Sequence, residues 1–441
     1  KLDRFSSRVL KEECLDLPEK VYLRREVNLS KEQVVVYKQM QDLALARLEK
    51  GELATTASVL TQIMRLQQIC CGHLQPDEGP LQFIKNNRPF RNLLINGDMK
   101  IWQRYGGSAV TISDGSNEGY NSVDRWSMSF GGSAGGAIQW SRSTDVPAGE
   151  DFEYSLKMSP STTTAATGTQ ELRFYQAIES QMIPDLAYGT SDAKTLTFSF
   201  YFKTNKVGLY SVYFQHRADE GTAKRKFLTF TPAASDTWER IVLKVTGDTA
   251  TAQTMDDASA GLYVYFTLDN TPDYDIDATE QDWTTSTILS SENNVNFFDS
   301  TSNELYLTGC QLEVGDTPSD FEFLPFDVQL ARCQRYYYQI PNVPTSSYRQ
   351  LGVGSLASAS LASFDNEHIV PMRAAPTITE VGSLYTSDHV ANRSFAVSTS
   401  YSTTERLTFN VTTASASNSP GTCIFTNNSN AGNYLTVSAE L

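Results

Sequence analysis

Three carboxylates at alternate positions, Asp273, Asp275 and Asp277, make the most metal-like run in this sequence. On an extended segment alternate side chains point the same way, so all three would face one cation. Position six of the run is Ala278, where a calcium loop needs glycine, and position twelve is Thr284 rather than glutamate. A solvated acidic loop is therefore the competing reading, and the stronger one. No phosphate-cradling GxxxxGK[ST] loop and no HExxH helix occurs. The histidines, His73, His216, His368 and His389, read as ordinary core or surface residues. Glycoside hydrolysis needs two carboxylates about 5–9.5 Å apart, which 51 Asp and Glu residues would satisfy somewhere by chance. No catalytic constellation is supported, and the expectation is a non-enzymatic protein.

Aromatic rings are the richer inventory: 21 Tyr, 22 Phe and 5 Trp. Exposed rings stack on sugar faces, but rings more often fill sandwich cores. Trp102, Trp126 and Trp140 lie in alternating segments and are expected in the core. Trp283 lies in a polar stretch and is expected to be exposed. With Tyr348 and Tyr385 it forms the candidate receptor-contact set. Of Tyr336, Tyr337 and Tyr338, alternation predicts one ring buried and its neighbours outside.

At 441 residues the chain exceeds one ordinary domain of about 100–150 residues. Its charge is uneven. Residues 1–87 hold 13 Lys+Arg and 12 Asp+Glu, a net of +1. The remainder holds 23 and 39, a net of −16, so the total is −15. An acidic surface repels phosphate backbones, so nucleic acid is not an expected partner of residues 88–441. The six cysteines form no CxxC pair, which argues for buried free thiols over a zinc site or a disulfide framework. No apolar run approaches the roughly 20 residues of a membrane span, so membrane insertion is not expected.

The elements that would position these residues fall into two textures. In the first, Val21–Val27 suits a strand. Ser30 and Gln33 form a capping box, and helices follow to Gly51 and over about residues 55–70. Beyond about Asn87 short alternating runs appear at Thr195–Phe202, Leu209–Phe214, Arg240–Val245, Gly261–Leu268, Glu304–Leu307 and Tyr434–Leu441. Turn residues separate them, as in a jelly roll. One short helix is expected near Asp327–Tyr337. The fold class is mainly β: a jelly-roll β-sandwich, then a second β-sandwich-like tip domain, with a short α-helical N-terminal segment. The boundaries are 1–88, 89–326 and 327–441.

Five motifs recur in order: NLLINGDMKIWQR at 92–104 with VDRW at 123–126, LTGCQLEVG at 307–315 with FEF at 321–323, LARCQRYY at 330–337, PMRAAPTI at 371–378 and LTVSAEL at 435–441. This set resembles bacteriophage tail-fibre and host-attachment proteins. The resemblance implies a carbohydrate-binding-module-like jelly roll followed by a receptor-binding, trimerising tip, and a place on the virion. It implies a homotrimer whose partners are other tail proteins and a host-surface glycan or protein. It also brings the opening and closing motifs together, with Asn96, Asp98 and Glu313 as candidate ligands of a structural calcium. Turn chemistry at Asn96-Gly97 is the alternative for that segment. A polysaccharide-depolymerising tailspike is the enzymatic alternative, although the β-helical repeats such enzymes carry are not seen. Residues 29–37 and 60–72 resemble the segment joining the two lobes of chromatin-remodeller-type helicases, without the nucleotide-binding motifs. This leaves a nucleic-acid motor accessory as a further alternative for residues 1–88.

Overall fold

The computed structural model describes residues 73–74, 82–83 and 90–441, apart from 115–118, 133–134, 166–170, 218–222, 251–256, 270–271, 342–348, 359, 388–391, 414–420, 428–429 and 431. The chain divides into two compact units, Lys1–Pro89 and Phe90–Leu441. In the first unit His73–Leu74 pairs with Gln82–Phe83. The strand expected at Val21–Val27 and the helices expected over 30–71 lie outside the described residues.

The second unit is mainly β, and its first core lies between two six-stranded sheets. One sheet runs, edge to edge, Glu280–Thr284, Ala223–Phe230, Tyr210–Arg217, Ala260–Thr267, Glu171–Glu179 and Ser127–Gly131. The other runs Glu239–Val245, Leu196–Thr204, Leu305–Val314, Ser155–Thr162, Ala137–Ser143 and Val110–Ser113. Neighbours in space are distant in sequence, the jelly-roll pattern. The alternation that predicts these strands also builds the core. Ile241, Leu243 and Val245 point in while Val242 is exposed. Rings from the two sheets interlock. Phe266 meets Phe198 at 5.7 Å and Phe200 at 5.0 Å, and Trp140 meets Phe174 edge-on at 6.1 Å. Trp102, Trp126 and Trp140 are all buried, as expected.

The opening and closing motifs join as the resemblance implied. Leu93 N–H donates to Leu312 O at 2.8 Å, and Cys310 N–H to Gly97 O at 2.9 Å. A bulge between Thr308 and Gln311 lets the closing strand serve both neighbours. Gly309 makes it: its φ is +63° and Phe152 and Tyr201 press on it, so a side chain would meet both strain and rings.

The helix Phe326–Gln334 then leads into the strand Tyr337–Ile340. That strand pairs with Tyr434–Ser438, which pairs with Thr377–Val381. The strands Gln350–Ser358, Leu361–Glu367, Arg406–Thr413, Asn392–Ser400, Tyr385–Ser387 and Gly421–Thr426 close into a barrel. Its core includes Phe364 stacked on Phe409 at 4.7 Å, with Phe425 edge-on at 5.1 Å. The second β domain, expected to be sandwich-like, is built on a closed barrel, and closure leaves that sheet no free edge. No helix among the described residues is long and apolar enough to cross a membrane.

Tyr336, Tyr337 and Tyr338 do not split as expected; all three are buried. The strand runs through the junction between sandwich and barrel, so both of its faces are covered. Tyr336 donates to Glu179 and lies under Arg125 at 3.5 Å, and Tyr337 lies under Arg104 at 3.4 Å. Tyr338 enters the barrel core and bonds His368 Nδ1 at 2.6 Å.

Candidate functional site

The first sheet has an outer face as well as a core face, and the pairing register says what lies on it. Residues opposite one another in antiparallel strands share a face. Arg173 faces Ser129 and Thr267, Tyr175 faces Ser127 and Tyr265, Tyr265 faces Tyr213, Tyr263 faces Gln215, and Phe227 faces Tyr213. Leu172, Phe174, Val264, Phe266, Val212 and Phe214 alternate with these and fill the core. The outer face therefore carries a second aromatic cluster, on the side away from the sandwich interior.

Its geometry is ordered. Tyr213 stacks on Tyr265 at 4.3 Å and 10°, and Tyr263 on Tyr265 at 5.5 Å and 16°. Tyr175 lies 4.7 Å from Tyr265, and Tyr120 stands edge-on to Tyr175 at 6.2 Å. One end of the face is covered by Tyr274, Ile276 and Leu289, which bury Phe227 and Tyr213. The other end meets the junction, where Glu179 holds Arg335 through two bonds of 2.9 Å. Between these covers Tyr175 and Tyr263 are half-buried. Arg173 donates to Tyr213 Oη at 2.9 Å and sits 5.3 Å above Tyr265. Arg225 donates to Gln215 Oε1 at 2.9 Å. Burial raises the hydroxyl pKa of Tyr263, so the ring stays neutral at physiological pH.

Parallel tyrosine rings beside guanidinium and amide groups can stack on the C–H face of a pyranose while hydrogen-bonding its hydroxyls. No family model matches the sequence, and no curated protein matches it. Among solved structures, the chain is similar to the enzymatically active domain of bacteriophage CBA120 tailspike protein 4, at 13% identity and TM-score 0.27. That match covers 52% of this chain and 22% of the tailspike chain. It is also similar to a family 11 carbohydrate-binding module from Clostridium thermocellum, at 11% identity and TM-score 0.25, covering 47% of this chain and 96% of that one. A xylan-binding domain from Paenibacillus barcinonensis gives 9% identity and TM-score 0.24, covering 48% and 97%.

Trp283 and Tyr385, singled out in the sequence, are not part of this cluster. Trp283 is half-buried rather than exposed. The register of its edge strand shifts opposite Arg225 and Phe227, and the ring lands on His216 at 4.9 Å and Tyr188 at 5.7 Å. Its indole N–H donates to Thr246 O at 2.7 Å. Tyr385 is half-buried in the barrel strand Tyr385–Ser387, and Tyr348 lies outside the described residues. His216 is a core histidine bonded to Asp248 at 2.9 Å.

The calcium set separates into two networks. Asn96 Oδ1 accepts from Ile101 N–H at 2.8 Å and from Gln329 Nε2 at 3.2 Å, while Asp98 also accepts from Gln329. Glu313 accepts from Ser319 N–H and Oγ, both at 2.7 Å, and from Gln311 at 3.1 Å. These oxygens are engaged by protein donors, and the set does not fit a calcium ion. Asn96 at φ +59° is turn chemistry. Tyr274 and Ile276 pack inward onto the outer-face cluster, while Asp273 and Asp277 are exposed. No group of three His, Cys, Asp or Glu side chains suited to a metal occurs among the described residues.

Gly131-Gly-Ser-Ala-Gly135 has the spacing GxSxG, which corrects the expectation that the chain lacks this motif. A nucleophile elbow joins a strand to a helix. Here strands lie on both sides, Ser127–Gly131 and Ala137–Ser143, and Ser133 itself lies outside the described residues.

The junction beside the face is built on Glu440. It pairs with Arg104 at 3.2 Å and with Arg125, and Arg104 also lies 3.8 Å from Asp124. Burial pushes the Asp124 carboxyl up to about 6, against the pull of Arg104. A raised carboxylate favours the folded state in its protonated form. That stabilisation is complete below about pH 4, falls as pH rises from 4 to 6, and is gone above 6. The shift from 3.8 sets an upper limit of about 3 kcal/mol. We expect the stability difference between wild type and Asp124→Asn to change across that window in urea titrations. A constant difference from pH 4 to 7 would show that Asp124 stays ionised throughout.

Proposed function

We propose that this chain is the non-catalytic, glycan-binding part of a bacteriophage tail fibre, and that it attaches the virion to a host-cell surface. The observation that carries the glycan reading is the tyrosine cluster on the outer face of the first sheet, centred on Tyr265, with Tyr263 and Tyr175 as its half-buried rings. The ordered motifs from Asn92 to Leu441 support the tail-fibre part. A trimer would multiply weak sites through effective concentration, so each need bind only weakly. A monomeric mass by light scattering would remove that part of the proposal.

The full chain should bind surface polysaccharides on a glycan array and release no new reducing ends from those it binds. Tyr263→Ala should lower affinity about tenfold, the equivalent of one lost stacking contact of about 1.4 kcal/mol. The ring is half-buried at the surface of the cluster, so the fold should survive; thermal melting checks this. Unchanged affinity in a folded Tyr263→Ala protein would move the site elsewhere. Release of reducing ends would replace attachment with depolymerisation.

A further inference from the structure

The outer face that holds the tyrosines also holds the wrong charge for its chain. The chain has a net charge of −15. Yet the outward positions of this sheet include Arg173, Arg217 and Arg225, against Glu171 and Glu179. Both glutamates are taken: Glu171 pairs with Arg173, and Glu179 with Arg335. Neither Arg217 nor Arg225 forms a salt bridge among the described residues, although Asp257 attracts Arg217 from nearby. Arg217 donates to Ser259 Oγ at 3.1 Å, and Arg225 to Gln215. Asp257, beside Arg217, spends Oδ1 on Ser180 Oγ at 2.7 Å and Ser259 N–H at 3.1 Å.

Two of the guanidiniums lie directly against the ring cluster. Arg173 bonds Tyr213 Oη and sits 5.3 Å above Tyr265, and Arg225 bonds Gln215, which lies opposite Tyr263. Arg173 Nε is buried without a hydrogen-bond partner. Guanidinium forks match the geometry of carboxylate and phosphate oxygens, and among the described residues the forks of Arg217 and Arg225, beside the stacking platform, are hydrogen-bonded only to neutral side chains.

We infer that the glycan taken by this face is acidic, with its rings on Tyr263 and Tyr175 and its anionic groups on Arg217 and Arg225. This rests on the glycan reading above. The remainder of the chain is acidic and repels a polyanion at long range, so recognition comes from these short contacts and not from steering.

The test is an array of bacterial surface polysaccharides, neutral and acidic, probed with the full chain. Each acidic hit is then repeated after carboxyl reduction and, separately, after dephosphorylation. We expect hits confined to acidic polymers, and loss of about tenfold or more after one of the two treatments, which identifies the anion. The double variant Arg217→Gln/Arg225→Gln, one exposed and one half-buried position, should lose the same factor on the untreated acidic polymer. Binding that survives both treatments, or hits on neutral polymers, would overturn the acidic inference and leave the glycan reading standing. An array without hits would remove the glycan reading and this inference with it.

Discussion

Glu440→Gln should cost about 3–5 kcal/mol of folding stability, the range for removing one member of a buried charge network. Glu440 is the common partner of Arg104 and Arg125, and their side chains are 8% and 1% exposed. Arg125 has little else that is negative to turn to. Its second amino group donates to Ala177 O at 2.8 Å, and its plane lies on Tyr336. Its backbone sits at φ +72°, a region that a bulky residue occupies only when its surroundings hold it there. Arg104 keeps Asp124, but only at 3.8 Å. Urea denaturation of wild type and variant measures the loss. The double variant Glu440→Gln/Arg125→Met should recover part of it, because the uncompensated charge goes too. A Glu440→Gln protein within about 0.5 kcal/mol of wild type, the range of ordinary surface substitutions, would mean that the network contributes nothing net.

Gly97→Ala should cost about 3 kcal/mol or more, for a different reason. A methyl group at this position would sit on the carbonyl oxygen of Cys310, with Asn92 Nδ2 3.3 Å away. The obstacle is backbone and cannot rotate aside. To make room, the opening segment must leave the closing strand. That strains the bond from Cys310 N–H to Gly97 O and the one from Asn92 Nδ2 to Cys310 O at 3.0 Å. Gly149→Ala is the matched control. It stands at φ +82° with nothing within 4 Å, so it should lose only the backbone strain of about 1–2 kcal/mol. Equal losses in the two variants would show that crowding at Gly97 is absorbed.

Much of the sandwich could be read from the sequence because its strands alternate. The run at 261–268 puts Leu262, Val264 and Phe266 on one side and Tyr263 and Tyr265 on the other, and the register in the structure agrees. The outer tyrosine face was not legible in the same way. Alternation says that Tyr263 and Tyr265 share a side; it does not say whether that side is open. That depends on residues 274–289, which cover one end, and on the junction, which covers the other. Trp283 shows the same limit. Gln281, Asp282 and Thr284 make its surroundings polar, but a register shift against Ala223–Phe230 decides where its ring points. Three consecutive tyrosines at 336–338 defeat alternation because both faces of their strand are buried.

The junction also has a consequence in time. Asn92 bonds to a carbonyl 218 residues away, Arg125 to a carboxylate 315 residues away, and Arg104 to the same carboxylate 336 residues away. A chain made from its N-terminal end at about 5–20 residues per second cannot complete the sandwich until residue 314 has been made. Arg104 and Arg125 must then wait for residue 440. Contacts this distant in sequence make folding slow, and they expose the tyrosine-rich strands while the chain is unfinished. Nascent chains stalled before residue 305 should therefore be the aggregation-prone species, and chaperone demand should fall only once the last strand has paired.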